Sequence, residues 1–191
     1  MWPGLGMQST LELNLERLRE QLQGHSGNNK VAILGQPGAG KSSLLTKMTK
    51  KKVKPLPIIG AKTDATDWSK DPDCNLLSNF KNYTFADVPG YDTSSHPTEV
   101  FSSSFPFDSF DVFIFVVHGK LHASDEDIFR LIADSGKRVC IAKSFADSLE
   151  SGEPISVEND IRKRLIIPKE VPVLFFSNRT GEGVDAVFKS I

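Results

Sequence analysis

The sequence predicts a three-layer α/β fold in which helices cover both faces of a mainly parallel sheet. Short apolar runs of the kind that form buried strands alternate along the chain with amphipathic segments at helical spacing. This alternation is typical of parallel strands joined by crossover helices. The 191 residues, of which 39% are apolar and 25% charged, suit one globular domain with a sizeable core.

The N-terminal segment predicts an amphipathic helix. Ser9 is the expected N-cap, Glu12 stands where it completes a capping box, and the helix runs to Gly24. Four leucines recur at helical spacing and form one apolar face, namely Leu11, Leu15, Leu18 and Leu22. That face packs against the domain or binds a partner, and the sequence leaves both alternatives open.

The alternating elements begin after this helix. Strands are predicted over residues 31–34, 83–87, 112–117, 138–142 and 171–176. Helices are predicted over residues 41–50, 124–135, 157–166 and from 184 onward. One antiparallel edge strand is expected over residues 65–69, turned by residues 71–73 and paired with residues 83–87.

Two parts of the chain follow from this pattern, an N-terminal helix and linker over residues 1–29 and a main domain over residues 30–191. Only eight residues follow Gly183, which is short for a closing helix. The main domain is therefore either minimal or truncated at its C-terminus.

Composition narrows the classes of partner and location. The net charge of -1 and the pI near 6.4 carry no polybasic signature, so we do not expect a nucleic acid partner. Only Cys74 and Cys140 are present and no histidine lies at metal-ligand spacing to them, which favours a reducing, cytoplasmic location. The longest apolar run, residues 112–117, is too short for an integral membrane segment.

The stretch GQPGAGKSS at residues 35–43 matches the phosphate-loop pattern G-x-x-x-x-G-K-[ST] between a strand and a helix. In such a loop, backbone N–H groups wrap the phosphates of a nucleotide, and the expected residues are Gly35, Gly38, Ala39 and Gly40. Lys41 is expected to reach the β and γ oxygens, Ser42 to bind Mg²⁺, and Ser43 to donate to the α-phosphate. This pattern predicts a P-loop NTPase.

A second phosphate-sensing element is the turn Asp87-Val88-Pro89-Gly90, which ends an apolar strand 46 positions after Lys41. We expect Asp87 to hold Mg²⁺ through a water molecule. Gly90 is expected to meet the γ-phosphate through its backbone N–H, so that loss of this phosphate releases the loop beyond it.

A threonine between these two elements is expected to complete the Mg²⁺ shell in the triphosphate state. Thr63 is favoured because an aromatic residue, Trp68, follows five positions later, which resembles the spacing in Ras-like switch loops. Thr66 remains the alternative.

Together these elements resemble the Ras-like GTPases, and more closely the immunity-related GTPases and their bacterial relatives. The resemblance covers residues 30–178 and includes the phosphate loop, the Lys62-Thr63 pair, the turn at 87–90, the strand at 113–117 and the segment 174–178. It implies a Ras-like GTP-binding domain that hydrolyses GTP to GDP with Mg²⁺ as a conformational switch. It also implies a homodimer across the nucleotide face and leaves room for a protein effector.

The base-recognition motif departs from the family pattern Asn/Thr-Lys-x-Asp. Lys143 is in place, but Ala142 precedes it and the first carboxylate, Asp147, arrives two positions late. Either the loop bulges to bring Asp147 to guanine, or guanine is read loosely and Asp147 is an ordinary helix N-cap. Ser177 and Asn178 resemble the element that offers a backbone N–H to the guanine oxygen.

The residue after Gly90 is Tyr91, where many Ras-like enzymes have a glutamine that orients the attacking water. Slow intrinsic hydrolysis is therefore expected, with Arg130, Arg179 and His118 as candidates from a second copy, or as ordinary surface residues. Two alternatives stay open, a non-hydrolysing nucleotide-binding module and an ATP-using P-loop enzyme. Four phenylalanines between residues 101 and 110 either pack onto the sheet or form a nucleotide-dependent contact surface.

Overall fold

The computed structural model describes residues 8–60 and 66–191, which contain six strands, six α-helices and two 3₁₀ turns. Six strands lie in one sheet: β1 (Asn29–Gly35), β2 (Ser78–Phe80), β3 (Tyr83–Asp87), β4 (Val112–Val117), β5 (Arg138–Lys143) and β6 (Val173–Phe175). Six α-helices accompany them: α1 (Thr10–Gly24), α2 (Lys41–Met48), α3 (Thr98–Ser104), α4 (Ala123–Asp134), α5 (Glu153–Leu165) and α6 (Val184–Lys189). Two 3₁₀ turns cover Phe107–Ser109 and Ala146–Ser148.

The sheet has the order β2-β3-β1-β4-β5-β6, and every pair is parallel except β2 with β3. The three-layer fold with one antiparallel edge strand is thus confirmed. All six residues of β4 are buried, as expected of a strand covered on both faces. Because Ile33 pairs with Asp87 and Gly35 with Val116, the carboxyl ends of neighbouring strands meet at one edge, where ligands of open α/β sheets bind.

The position of the antiparallel edge strand differs from the prediction. Residues 66–69 form no strand, and β2, about ten positions later, pairs with β3 instead. The reason lies at Trp68, whose backbone N–H donates to His96 Nε2 and whose carbonyl accepts from Asn14 Nδ2. Both backbone groups of Trp68 that could pair with a neighbouring strand are therefore hydrogen-bonded to side chains instead.

The N-terminal helix α1 is confirmed together with its cap. The Ser9 side chain accepts from the backbone N–H of Glu12, and the Glu12 carboxylate accepts from the backbone N–H of Ser9. The four leucines of its apolar face are buried and share one core with phenylalanines that follow the Asp87–Gly90 turn, Phe101, Phe105 and Phe110. Both the helix and the phenylalanines therefore pack within the domain. No helix in the described part combines the length and apolar character needed to cross a bilayer.

Candidate nucleotide-binding site

The phosphate loop lies between the carboxyl end of β1 and the start of α2. Lys41 is buried, with 7% of its surface exposed, and its Nζ donates to the carbonyls of Gly35 and Gln36, each at 2.9 Å. Burial lowers the pKa of Lys41 to about 8, although the charges of Asp87 and Asp125 act to raise it. A buried cation of this kind is stabilised when an anion such as a phosphate binds beside it.

Glycine is required at position 40 in this loop. The φ of Gly40 is +94°, and a Cβ added there would overlap Asn178 Nδ2. That amide donates to the Gly40 carbonyl at 3.0 Å, which ties the turn after β6 to the phosphate loop. The remaining predicted loop residues lie in the same short segment, with Gly38 exposed, Ala39 buried and Ser43 half-buried in the first turn of α2.

Three oxygen-bearing side chains meet beside Lys41. Ser42 Oγ donates to Asp87 Oδ2 at 2.5 Å, and Thr66 Oγ1 donates to the same oxygen at 3.2 Å. The two hydroxyl oxygens lie 3.3 Å apart. The other carboxylate oxygen, Asp87 Oδ1, is buried and has no hydrogen-bond partner in the described part of the chain. Burial raises the pKa of Asp87, and the hydrogen bond from Ser42 opposes that rise.

This donor set fits Mg²⁺, which prefers oxygen ligands from one or two protein groups, with water and phosphate oxygens completing its shell. The orphaned Asp87 oxygen and the two hydroxyls are the groups available to it. Thr63, the favoured switch threonine, lies outside the described residues, whereas Thr66, its alternative, is at the site.

Gly90 packs closely against the phosphate loop, because a Cβ added to it would overlap the backbone nitrogen of Pro37. The next residue, Tyr91, is fully buried and its hydroxyl donates to Asp125 Oδ1 at 2.6 Å. Burial and the Asp125 charge raise the pKa of Tyr91 well above its usual value. Its hydroxyl is therefore already engaged in the core.

Sequence reasoning missed the network around Asp125, although that residue helps to fix the phosphate loop. Gln36 Nε2 donates to Asp125 Oδ1 at 3.2 Å and to Ser124 Oγ at 2.9 Å. These bonds join the phosphate loop to helix α4, although Gln36 and Asp125 are 89 positions apart in the sequence. No motif or periodicity connects residues so far apart, so the sequence carries no signal for this contact.

The expected base side of the site is formed by the loops after β5 and β6. Asp147 lies in a 3₁₀ turn, and its Oδ2 accepts from Arg179 Nε at 2.7 Å. Hydrogen bonds from Ser177 and Arg179 lower the pKa of Asp147. A cavity of about 90 Å³ is lined by Phe145, Asp147, Asn178 and Arg179. The structure thus brings Asp147 beside the segment 177–179.

The helix-cap alternative for Asp147 is wrong. Phe145 precedes the 3₁₀ turn as its N-cap, and Gly152 is the N-cap of α5. Phe145, at the position where the family motif has its carboxylate, has a left-handed backbone with φ +58°. This conformation is uncommon for a bulky residue.

The other predicted residues near the base side are buried or structural. Lys143 is buried, its Nζ donates to the Ser144 carbonyl at 3.4 Å, and burial lowers its pKa. The Ser177 hydroxyl accepts from the backbone N–H groups of Arg179 and Thr180, each at 3.1 Å. The buried Asn178 Oδ1 has no hydrogen-bond partner among the described residues.

The three residues considered as contributions from a second copy have contacts within the chain. Arg130 pairs with Asp127 at 3.3 Å, and Arg179 pairs with Asp147. The His118 ring lies 4.4 Å from the ring of Phe145, centroid to centroid. Burial, with the Lys143 charge, lowers the pKa of His118.

Comparison with known proteins agrees with this geometry. The model of the 50S ribosome-binding GTPase family matches residues 30–144, more than half of the chain. The GTPase Der of Lachnospira eligens is 26% identical over 173 residues, which cover 85% of this chain and 38% of Der. The chain therefore spans about two fifths of the length of that relative.

Solved structures share the fold. The structure of a probable GTP-binding protein engB superposes with a TM-score of 0.61 at 17% identity, covering 84% of this chain and 95% of engB. Era in complex with MgGDPNP and 16S ribosomal RNA nucleotides superposes with a TM-score of 0.64 at 22% identity, covering 86% and 55%. The Ras-like prediction from the phosphate loop and the Asp87–Gly90 turn is confirmed, and the chain belongs to the 50S ribosome-binding GTPase family as a Ras-like GTP-binding domain.

Proposed function

We propose that this chain is a Mg²⁺-dependent switch that binds GTP, hydrolyses it to GDP and changes conformation when the γ-phosphate is lost. The observation that carries the proposal is the convergence of Ser42, Thr66 and Asp87 beside the buried Lys41. These groups come from α2, from the segment before β2 and from the end of β3. Their meeting at one point is the arrangement that a metal-bound triphosphate requires.

The chain's own residues would bind and orient the phosphates. Lys41 would exchange its carbonyl contacts for β- and γ-phosphate oxygens, and the backbone N–H groups of residues 38–41 would surround the β-phosphate. In hydrolysis, water attacks the γ-phosphorus, the bond to the bridging oxygen breaks, and GDP leaves with that electron pair. Mg²⁺, when bound, neutralises charge that develops on the phosphate oxygens.

For the metal we propose Ser42 and Thr66 as hydroxyl ligands and Asp87 acting through a water molecule. The Thr66 hydroxyl is supported by its 3.2 Å contact with Asp87. Thr63 stays a competing candidate, because the described residues do not include it. If Thr66 is the ligand, its loss should weaken Mg²⁺ binding in the triphosphate state more than in the diphosphate state, because the threonine completes the Mg²⁺ shell only when the triphosphate is bound.

We propose that intrinsic turnover is slow. The Tyr91 hydroxyl is held by Asp125 in the core, so it is not positioned to orient a water molecule. The same observation favours the second candidate, a nucleotide-binding module that signals by occupancy without hydrolysis. Phosphate release in a single turnover separates the two, because a switch enzyme releases one equivalent per bound GTP.

For the base we propose guanine, read by the Asp147 carboxylate. The support is the left-handed backbone of Phe145, at the position where the family motif has its carboxylate, and the proximity of Asp147 to residues 177–179. An ATP-using enzyme is the competing proposal. It would be favoured if ATP displaced labelled GTP at equal concentration.

We also propose that the chain is related to the immunity-related GTPases, that two copies pair when GTP is bound, and that a protein effector recognises the bound state. Nucleotide-dependent pairing across the nucleotide face comes from the resemblance to immunity-related GTPases, and so does a protein effector. The Era structure contains ribosomal RNA, but this domain's net charge of -1 favours a partner other than nucleic acid. A cytoplasmic location is supported by the two free cysteines.

The deciding experiment compares Lys41→Ala with Lys47→Ala, an exposed lysine on the same helix. Calorimetry with Mg²⁺ and a non-hydrolysable GTP analogue should show no binding for Lys41→Ala and wild-type affinity for Lys47→Ala. Far-UV circular dichroism checks that both variants are folded. Tight binding by a folded Lys41→Ala protein would contradict the proposal.

A further inference from the structure

Trp68 is held at both of its backbone polar groups by side chains from distant elements. Its N–H donates to His96 Nε2 at 3.2 Å, and its carbonyl accepts from Asn14 Nδ2 at 2.8 Å. Asn14 is fully buried, and His96 and Trp68 are each 1% exposed. Contacts of this kind are costly to break, because a buried backbone group without a partner is strongly unfavourable.

Asn14 and His96 thus form a clamp on the backbone of Trp68, which lies two positions after Thr66 of the candidate magnesium site. Thr66 contacts Ser42 and Asp87 through its hydroxyl, and only Asp67 separates it from Trp68. The position of the Thr66 hydroxyl therefore depends on where Trp68 is held. His96 lies in the loop after Gly90, the segment that we expect the γ-phosphate to control, so a change in that segment would reach Trp68 through His96.

The other side of the clamp is helix α1, which lies before the family-matched residues 30–144. Asn14 also donates to the Asp71 carbonyl at 2.9 Å. Arg17 donates to Asn14 Oδ1 at 2.6 Å and to the Cys74 carbonyl at 2.8 Å. These bonds orient the Asn14 amide and fix the chain from Trp68 to Cys74 against the helix.

We propose that Asn14 is a positioning residue for the magnesium site, through which α1 and the bound nucleotide are coupled. Asn14 holds Trp68, Trp68 sets the position of Thr66, and the Thr66 hydroxyl contributes to Mg²⁺ binding in the triphosphate state. Coupling of this kind is reciprocal, so bound Mg²⁺ and triphosphate stabilise the docking of α1. The inference rests on the proposed function and extends it to an element outside the family-matched region.

The test uses Asn14→Leu, which keeps the approximate size of the side chain and removes its donors. The matched control is Leu22→Ala, a buried change on the same helix that leaves the clamp intact. Calorimetry measures affinity for the GTP analogue across a Mg²⁺ series and without Mg²⁺. We expect Asn14→Leu to raise the half-saturating Mg²⁺ concentration roughly tenfold, as loss of the buried hydrogen bond to Trp68 alone would, and Leu22→Ala to leave it unchanged.

A spectroscopic measurement accompanies the titration. Trp2 and Trp68 are the two tryptophans of the sequence, so in a Trp2→Phe background Trp68 is the sole tryptophan, and selective excitation of tryptophan reports on it alone. Asn14→Leu should shift its emission to longer wavelength, because water gains access to the ring, whereas Leu22→Ala should not. Equal Mg²⁺ and emission responses in the two variants, or no response in Asn14→Leu, would overturn the proposal.

Should Asn14→Leu fail to fold, Arg17→Ala and the wild-type protein provide the test. Arg17→Ala removes the bonds that orient Asn14, so the Mg²⁺ response should shift in the same direction by a smaller factor. In wild type, Mg²⁺ with the GTP analogue should slow hydrogen exchange in residues 10–24 and 66–74 together. Protection of 66–74 without 10–24 would refute the coupling. Absence of any nucleotide binding by wild type would instead refute the proposed function.

Discussion

Exchange of Asp147 for asparagine tests how the chain reads the nucleotide base. The carboxylate lies at the small cavity between the loops after β5 and β6, where its Oδ2 accepts from Arg179 Nε at 2.7 Å. In the proposed complex it accepts from the N1–H and the 2-amino group of guanine. An asparagine at this position would keep one acceptor but present an NH₂ group where guanine also has a donor. Asp147→Asn should therefore weaken GTP binding and improve binding of XTP, whose 2-oxo group accepts from the amide.

The size of the effect follows from the bonds lost. Hydrogen bonds to a charged group are roughly twice as strong as those between neutral groups, and the substitution loses one such bond and sets two donors against each other. Together these changes should weaken GTP affinity roughly a hundredfold. The pair with Arg179 cannot account for such a loss, because the Arg179 side chain is 75% exposed and exposed ion pairs contribute little.

The assay measures GTP, ATP and XTP affinities by competition for wild type, Asp147→Asn and Glu150→Gln. Glu150 is an exposed acidic residue in the same loop, so its variant reports the effect of removing one negative charge nearby. Glu150→Gln should leave the GTP/XTP ratio unchanged. An unchanged ratio in Asp147→Asn as well would show that this carboxylate does not read the base.

Four further outcomes are expected. Gly90→Ala should lower the free energy of unfolding by about 1 to 3 kcal/mol, because its Cβ meets backbone; Gly24→Ala, with open space around it, should not. Ser9→Ala should cost about 1 kcal/mol in urea unfolding, and no change would contradict the capping box. Burial raises the pKa of Cys140 to about 11 from 9.0, so the thiol ionises at lower pH in the unfolded chain than in the folded one. Between those pH values the free energy of unfolding of wild type should fall by about 2 to 3 kcal/mol relative to that of Cys140→Ala. Parallel pH profiles of the two proteins would refute this. Hydrolysis per molecule should rise over about a hundredfold concentration range if copies pair, and a flat rate would remove the dimer proposal.

Local patterns in the sequence account for the parts of the site that could be predicted. The phosphate loop needs only a strand, a glycine-rich turn and a helix in sequence, so its position followed directly from residues 31–48. Asp87 could be placed because parallel strands align their carboxyl ends, and the observed pairing of Ile33 with Asp87 has that register. Helix α1 carried its own start signal at Ser9 and Glu12.

The base loop was predictable only as two alternatives. Spacing showed that Asp147 stands two positions beyond the family carboxylate, but spacing does not determine the path of the backbone between them. The path depends on Phe145 adopting a left-handed conformation, which bulky residues rarely do and which no propensity would predict. Tertiary contacts, including the ring contact with His118, accompany that conformation.

The edge strand was predicted at the wrong position because contacts between residues distant in sequence decide the structure of this segment. The same contacts connect the segment to α1, so the proposed coupling could not be predicted from the sequence. Residues 65–69 resemble a strand because Thr66 and Trp68 favour extended structure. In the fold, Asn14 and His96, which are 54 and 28 positions away, bind the backbone of Trp68. A segment whose backbone N–H and C=O groups are hydrogen-bonded to side chains does not pair with the sheet, and its position is determined by those side chains.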